Sequence, residues 1–336
     1  MDKKNIRVGS NDVAKLAGVS RSAVSRAFSD QAYIADETRE RVMRAADLLG
    51  YRPNVLARSL TTQRTHIIGV VTTHLENPFY AELLQQLTKT IQVHGLSTLV
   101  LLADGASNDD LISRLLSYQV DGLILTNTSL SSGMALRCAR GGKPVVTINR
   151  YLEIENIAAV TCDNERCGAD VAELLVNSGC KRIAFMAGDP NTSSTRDRER
   201  GFVRQLSARG LPLHSTAVGH YSHEGGIAAA RQLLGAQSRP DAVFCANDLM
   251  ALALLDVARS EFGLNIPEDL SVVGFDNSAP ANWPAYRLTS VDQDMPRMVE
   301  LAVGELLARL EGQQARPCNL KVEGRLVPRE STRTGS

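Results

Sequence analysis

The sequence predicts a small all-α helix-turn-helix head followed by an α/β core of two doubly wound parallel-sheet lobes. Three observations predict it. Charge is segregated along the chain; two short amphipathic helices meet at a glycine turn near residue 18; and from residue 66 apolar strand-like runs alternate with amphipathic stretches. The 336 residues, 43% of them apolar, suffice for two or three domains at roughly 100–200 residues each. The formal net charge is zero, yet residues 1–65 hold twelve Lys and Arg against seven Asp and Glu. A head of net +5 therefore precedes a body of net −5, and only the head has the electrostatic footprint of a phosphate-binding module.

Within the head, residues 9–28 read GSNDVAKLAGVSRSAVSRAF. Val13, Ala14, Leu16 and Ala17 give a first helix its apolar face, and Gly18 stops it. Ser20 caps a second helix whose Ala23, Val24 and Ala27 turn inward. Its opposite face carries Arg21, Ser22, Ser25 and Arg26. Arginine reads guanine O6 and N7 bidentately and serine tolerates several base edges, so this face suits a major groove. The plain alternative is a solvated face on a small helical bundle. A third helix spans 36–51, with Val42, Ala45, Ala46 and Leu49 as its buried stripe; Thr38 near its start and the free N–H groups there suit a phosphate. Pro53 then punctuates the chain, Asn54 is a good N-cap, and 55–60 is too short for a stable isolated helix. It reads equally as a segment that folds on DNA or a partner copy and as a linker.

The strand-like runs of the body lie at 66–71, 97–103, 122–127, 144–150, 158–163, 182–188, 242–247 and 271–276. Residues 79–94 show the helical pattern between them, with Tyr80, Leu83, Leu84, Leu87 and Ile91 on one face before Gly95. Continuous apolar strands alternating with helices imply parallel sheets with right-handed crossovers. In such folds ligands bind beyond the carboxyl ends of the strands. Polar residues cluster there: Thr73, Asn77, Asn127, Asn149 and Arg150 in the first lobe; Asp163, Ser194, Arg198, Tyr221, Asn247, Asp248, Asp276 and Gln293 in the second. Amides, carboxylates and arginines are the bidentate partners of vicinal hydroxyls, while Phe79, Tyr80 and Tyr221 offer stacking faces. Taken singly, each Asn or Asp is explained by capping alone. As a set on two facing lobes they read as a shared cleft.

DVAKLAGVSRSAVSR, TRERV and YRPNVLARSL resemble the DNA-binding head and hinge of the LacI/GalR family of transcriptional regulators. NPFYAELLQQL, CANDLMALA, VVGFDN and LTSVDQDM resemble the same family's core, which is similar to a periplasmic sugar-binding protein. The resemblance runs from about residue 8 to residue 330. It implies base contacts by Arg21, Ser22 and Arg26, Leu56 packing one hinge helix against its dimer mate, and Leu60 as the apolar wedge that kinks the minor groove; Ser25, Thr38, Tyr51 and Asn54 complete the expected DNA-contacting set. It implies effector contacts by Asn149, Arg198, Tyr221, Asn247, Asp276 and Gln293, to which the reading of strand ends and stacking faces adds Thr73, Asn77, Phe79, Asn127 and Arg150. Gly9, Ser29 and Ala35 depart from the family's usual Thr or Ser, Asn and Ser.

The expected organisation is a head at 1–52, a hinge helix and linker at 53–65, a core at 66–330 and a short tail at 331–336. Lobe one would take about 66–160 plus 292–320, and lobe two about 161–290 plus 321–330. The tail shows no leucine heptad, so no coiled-coil tetramer is expected.

No apolar run approaches the ~20 residues of a membrane span, and the N-terminus leads into no signal-like apolar segment. A cytoplasmic location with reduced thiols is expected. The six cysteines, including Cys162 and Cys167 with four residues between them, form no CxxC pair and read as structural. GGKP at 141–144 is no phosphate loop, since Arg137 and Pro144 stand where Gly and Ser or Thr are needed. No GxGxxG, GxSxG or HExxH occurs, and His220 and His223 read as part of a polar loop rather than a metal pair. The expectation is a homodimeric, sequence-specific transcription regulator, not an enzyme, with neither metal nor cofactor. It would bind pseudo-palindromic operator DNA and respond to a small-molecule effector, a sugar or sugar acid. The rival classes are a solute-binding protein for sugar uptake, which leaves the head unexplained, and a sugar-acting enzyme, for which no acid/base constellation is present.

Overall fold

The computed structural model describes residues 8–28, 33–52, 64–103, 117–126, 137, 141–152, 154, 157–313 and 319–333. The chain forms two compact units, 1–65 and 66–336.

Unit one is built on α1 (Ser10–Ala17), α2 (Arg21–Ala27) and α3 (Asp36–Leu49). Gly9 opens α1, its N–H donating to Asp12 Oδ2 at 2.9 Å, and Gly18 ends it at φ +65°. Ser20 Oγ accepts from Ala23 N at 3.2 Å and so caps α2. Val13, Ala14, Ala17, Val24, Ala27, Val42, Ala45 and Ala46 make the core, with Leu49 and Tyr51 partly buried against it. Leu16 is a correction: it is 53% exposed. At 100° per residue the face of Val13, Ala14 and Ala17 leaves Leu16 at its rim, and the small residues across the core leave it nothing to reach.

Unit two holds two parallel sheets. In lobe one β1 (Ile67–Thr72), β2 (Ser97–Leu102), β3 (Gly122–Leu125), β4 (Val145–Ile148), β5 (Ala158–Cys162) and β11 (Asn319–Val322) take the order β11-β5-β4-β3-β1-β2. Side chains alternate across this sheet. Ile68, Val70, Ile124 and Val146 pack under α4 (Pro78–Val93) and α9 (Met295–Leu310), while Val71, Leu123, Leu125 and Val145 face the other way. β2 is an edge strand, with Val100 and Leu102 exposed, so its apolar run is not evidence of burial.

Lobe two contains β6 (Ile183–Ala187), β7 (Ser215–Val218), β8 (Ala242–Cys245) and β9 (Ser271–Val273) in the order β7-β6-β8-β9. Around them lie α5 (Asn164–Asn177), α6 (Ser193–Ala208), α7 (His223–Leu234) and α8 (Asp248–Ser260). Phe185, Phe202, Phe244 and Phe275 stack through its core at centroid separations of 5.0–6.4 Å. β7 is missing from the sequence-predicted strands, because its STAV run is too short and polar to stand out. Helices α5 and α6 approach closely: a Cβ on Gly168 or Gly201 would run into the other helix's backbone.

Three crossovers join the lobes: β5 into α5, the stretch from β10 (Ser290–Asp292) into α9, and the stretch from β11 to β12 (Arg325–Val327). β10 and β12 pair antiparallel. The expected tail is corrected at its start. Ser331 and Thr332 are buried; Ser331 O accepts from Val272 N at 2.8 Å and its Oγ donates to Val272 O at 2.6 Å, so this segment edges lobe two.

Candidate functional site

On unit one, Arg21, Ser22, Ser25 and Arg26 share the exposed face of α2, opposite buried Ala23, Val24 and Ala27. Arg39 Nη1 donates to Ala27 O at 2.9 Å, tying α3 to the end of this helix. Thr38 is half-buried in the first turn of α3. Tyr51 packs edge-on to Phe28 at 5.9 Å between centroids, which makes it a wall of the core as well as a surface group. Asn54, Leu56, Leu60 and Ser29 lie outside the described residues.

On unit two, a cleft with about 230 Å³ of atom-free space opens between the lobes. Its walls are Asn77, Phe79, Tyr80, Asn149, Arg150, Ser194, Arg198, Tyr221, Asn247 and Asp276. Eight of these ten stand among the effector contacts that the resemblance and the strand-end reading give; the other two, Ser194 and Tyr80, are the strand-end polar group and the stacking face named beside them. Thr73 is buried but does not line the cleft, and Gln293 stands one layer back, donating from Nε2 to Asp276 Oδ1 at 2.7 Å. Asn127 lies outside the described residues. His220 and His223 are exposed, and neither lines the cleft.

Each wall residue is positioned by the end of a strand or the start of a helix. Asn77 caps α4, its Oδ1 accepting from Phe79 N at 3.1 Å, and Asn247 caps α8, its Oδ1 accepting from Met250 N at 3.0 Å. Both amides are thereby fixed, and their remaining groups are committed to the cleft side. Asn149 (φ +74°), directly after β4, and Tyr221 (φ +59°) and Asp276 (φ +120°), each three residues beyond a strand, adopt positive-φ backbone conformations at the cleft wall. Gly188 makes room for Tyr221: a Cβ there would stand 2.6 Å from ring Cδ2 and nearer still to Cε2 and Cζ. The Tyr221 hydroxyl is held by Thr195 Oγ1 at 2.7 Å and Ser194 Oγ at 3.1 Å.

Arg198 is 2% exposed and over-determined. Its Nε donates to Asn164 Oδ1 at 2.8 Å, its Nη1 donates to Ala246 O, and its guanidinium lies 3.5 Å from the Phe275 ring centroid. Arg150 reaches from lobe one to 5.1 Å from the Tyr221 ring centroid in lobe two. Beside it Tyr151 OH donates to Asp197 Oδ1 at 3.3 Å and Tyr151 N to Ser193 Oγ at 3.1 Å, so these two residues latch one lobe to the other.

The electrostatics follow from burial. Desolvation drives the Asp276 carboxyl well above its ordinary value, partly opposed by Arg198. Burial also lifts Tyr80. Burial alone would lift Tyr221 too, but Arg198 and Arg150, with hydrogen bonds from Ser194 and Thr195, bring it below its ordinary value. Behind the wall, burial raises Asp248 to about 6; Ser278 N, Ser278 Oγ and Ser290 Oγ donate to it at 2.8, 3.0 and 2.6 Å. Asn149 Oδ1, Asn247 Nδ2 and Gln293 Oε1 are buried without a hydrogen-bond partner among the described residues. Two of these, Asn149 and Asn247, line the cleft, and unmatched buried amides are costly unless a polar ligand meets them. Among the described residues no group of three or more His, Cys, Asp or Glu is placed to hold a metal ion, and no helix is long and apolar enough to cross a membrane.

A helix-turn-helix unit joined to a two-lobed core with a polar cleft defines a class: DNA-binding transcription regulators controlled by small molecules. Residues 11–54 match the bacterial regulatory proteins, lacI family, and residues 172–332 match the periplasmic binding protein-like domain. The chain is 33% identical over 329 residues to the HTH-type transcriptional regulator CelR of Thermobifida fusca, covering 95% of this chain and 96% of that one. Among solved structures, a transcriptional regulator CelR–cellobiose complex matches with a TM-score of 0.72 and 31% identity over 97% of this chain and 100% of that one. The Lac repressor dimer bound to operator and the anti-inducer ONPF matches with a TM-score of 0.85 and 26% identity, covering 97% and 99%. The protein belongs to the LacI family of transcriptional regulators.

Proposed function

We propose that this regulator is a homodimeric repressor whose operator affinity is set by a polyhydroxylated small molecule, a sugar or sugar derivative, bound in the cleft. The observation that carries the reading is the wall itself. Arg198, Asp276 and the Tyr221 ring line one cleft, and buried amide atoms of Asn149 and Asn247 in the same wall stand ready for hydroxyls. A pyranose presents this mixture of apolar face and in-plane donors and acceptors. The sugar-liganded CelR complex and the operator-bound Lac repressor dimer support it by likeness.

In this mechanism Arg21, Ser22, Ser25 and Arg26 read base edges in the major groove, and Thr38 meets a phosphate. Two heads on one dimer read two half-sites, which requires a pseudo-palindromic operator. The hinge at 53–65, with Leu56 pairing between copies and Leu60 as the wedge, would open the minor groove at the operator centre. Effector closes the lobes through Asn149 and Arg150 on one side and Arg198, Tyr221, Asn247 and Asp276 on the other. It regulates only in so far as it binds the operator-free and operator-bound states with different affinity, and operator then alters effector affinity by the same factor. A regulator of this kind works on DNA in the cytoplasm.

The test pairs a thermal-shift screen of sugars, sugar acids and nucleosides with a gel shift on operator fragments selected from a random library. Stabilisation by one sugar class, with a matching change in operator affinity, is expected. Operator binding that no cleft ligand alters would overturn the effector reading and leave the DNA-binding assignment standing.

A further inference from the structure

Cys162 ends β5 and Cys167 lies in the second turn of α5, so the pair sits where the chain first crosses between lobes. Their sulfurs are 3.6 Å apart and each residue is 1% exposed. The crossover from β11 to β12 closes over them. Asp163 N donates to Val322 O at 2.8 Å, and Arg166 Nη2 donates to Gly324 O at 2.6 Å. A Cβ on Gly324 would stand 2.7 Å from both sulfurs and 3.1 Å from Asp292 O, so glycine there is what lets the third crossover lie on the thiol pair. Two thiols in contact at the common pivot of two lobes exceed what packing alone calls for.

We propose that Cys162 and Cys167 form a dithiol oxidation site that hydroperoxides convert to a disulfide within the interlobe hinge. The hydrogen bond from Cys162, helped by Arg166, draws the Cys167 thiol below its ordinary value, while Cys162 is raised well above; Cys167 is therefore the attacking sulfur. Its thiolate attacks a peroxide oxygen and the O–O bond breaks. Cys167 becomes a sulfenic acid, and the departing oxygen leaves as water, or as an alcohol from an organic peroxide. The Cys162 sulfur then attacks the sulfenic sulfur, the S–S bond forms, and the sulfenic oxygen leaves as water carrying the Cys162 proton. Each disulfide consumes one peroxide, which takes the two electrons the thiols lose. The closure draws the end of β5 onto α5 and stiffens the pivot about which the lobes move.

Trypsin cuts after Arg166 and so separates Cys162, on peptide 151–166, from Cys167, on peptide 167–181. The full-length protein, treated with hydrogen peroxide and mapped without reductant, should yield these two peptides joined. The intact chain should lose two of its six thiols and about 2 Da. Fragmentation places the link at Cys167 rather than Cys180, and Cys180→Ser should retain it. Cys162→Ser should instead leave a sulfenic acid at Cys167 that dimedone labels. In the oxidised protein, amide exchange across 162–167 and 322–325 should slow by about tenfold. A pair that stays reduced while other thiols react, or a link through Cys180, overturns the site; a link that leaves exchange unchanged overturns its action on the hinge.

Discussion

Gly188→Ala adds one methyl group to the cleft wall and removes no polar chemistry. The new Cβ would stand 2.6 Å from Tyr221 Cδ2, against 3.4–4 Å for ordinary contact, so the ring must retreat by about 1 Å or more. That retreat stretches the 2.7 Å bond to Thr195 Oγ1 and the 3.1 Å bond to Ser194 Oγ beyond useful range. Two hydrogen bonds at about 1 kcal/mol each and overpacking of about 1–3 kcal/mol give a cost of about 3–5 kcal/mol. The left-handed backbone of Tyr221 leaves little slack to absorb it. Urea titration of the core followed by tyrosine near-ultraviolet circular dichroism is the assay. The cost should vanish in a Tyr221→Ala background, where the methyl has no ring to strike. A Gly188→Ala protein as stable as its parent, or one equally destabilised without Tyr221, would refute the packing described.

Arg198→Met keeps volume but strips Asn164 Oδ1 and Ala246 O of their donor. It should weaken effector binding by about 10–150-fold, the value of one to two charge-assisted hydrogen bonds, while sparing operator binding; an unchanged thermal shift with effector would exclude Arg198 from the contact set. Asp248 sits at about 6 in the fold against an ordinary 3.8, so the native state holds its proton more tightly than the unfolded chain does. Stability from that group is full below about pH 4 and is lost as pH rises through about 6. Denaturant titrations should show about 2 kcal/mol more stability at pH 4.5 than at pH 7 from Asp248 alone, and Asp248→Asn should remove that difference. Arg26→Ala should lower affinity for the selected operator by about 10–150-fold with little change on random DNA; equal losses on both would make Arg26 a phosphate contact.

The alternation of apolar runs and amphipathic stretches carried the two-lobed class, because buried parallel strands have no polar face to disguise them. Burial within an element was harder to read. Leu16 and the β2 residues Val100 and Leu102 are apolar yet exposed, since an apolar residue at a helix rim or a sheet edge looks identical in sequence to one in the core. The cleft was legible where strand-ending Asn, Asp and Arg residues advertise themselves. Ser194 was legible as a polar group beyond a strand end and Tyr80 as a stacking face, but their seats in the wall are set by tertiary packing, Tyr80's through Asn149 Nδ2 donating to its hydroxyl at 3.2 Å. Gln293 falls behind Asp276 because β10 delivers it from the far crossover, a geometry no local pattern encodes. The thiol pair was visible as two cysteines with four residues between them, but their contact depends on Gly324, 157 positions beyond Cys167.

The buried seats of Ser331 and Thr332 at the edge of lobe two bear on how the chain is born. Arg329 Nη2 donates to Asn277 Oδ1 at 2.6 Å, and Thr289 Oγ1 and Thr332 Oγ1 share a hydrogen bond at 2.8 Å. Lobe one likewise waits for β11 at Asn319–Val322 to complete its sheet. Neither lobe is therefore finished until the ribosome has made residues 319–332, whereas unit one is complete once residue 65 has emerged. At roughly 5–20 residues per second, the head precedes a finished core by roughly 15–50 s. Every newly made molecule thus passes through an interval in which it carries a DNA-reading surface and no means of being told to let go.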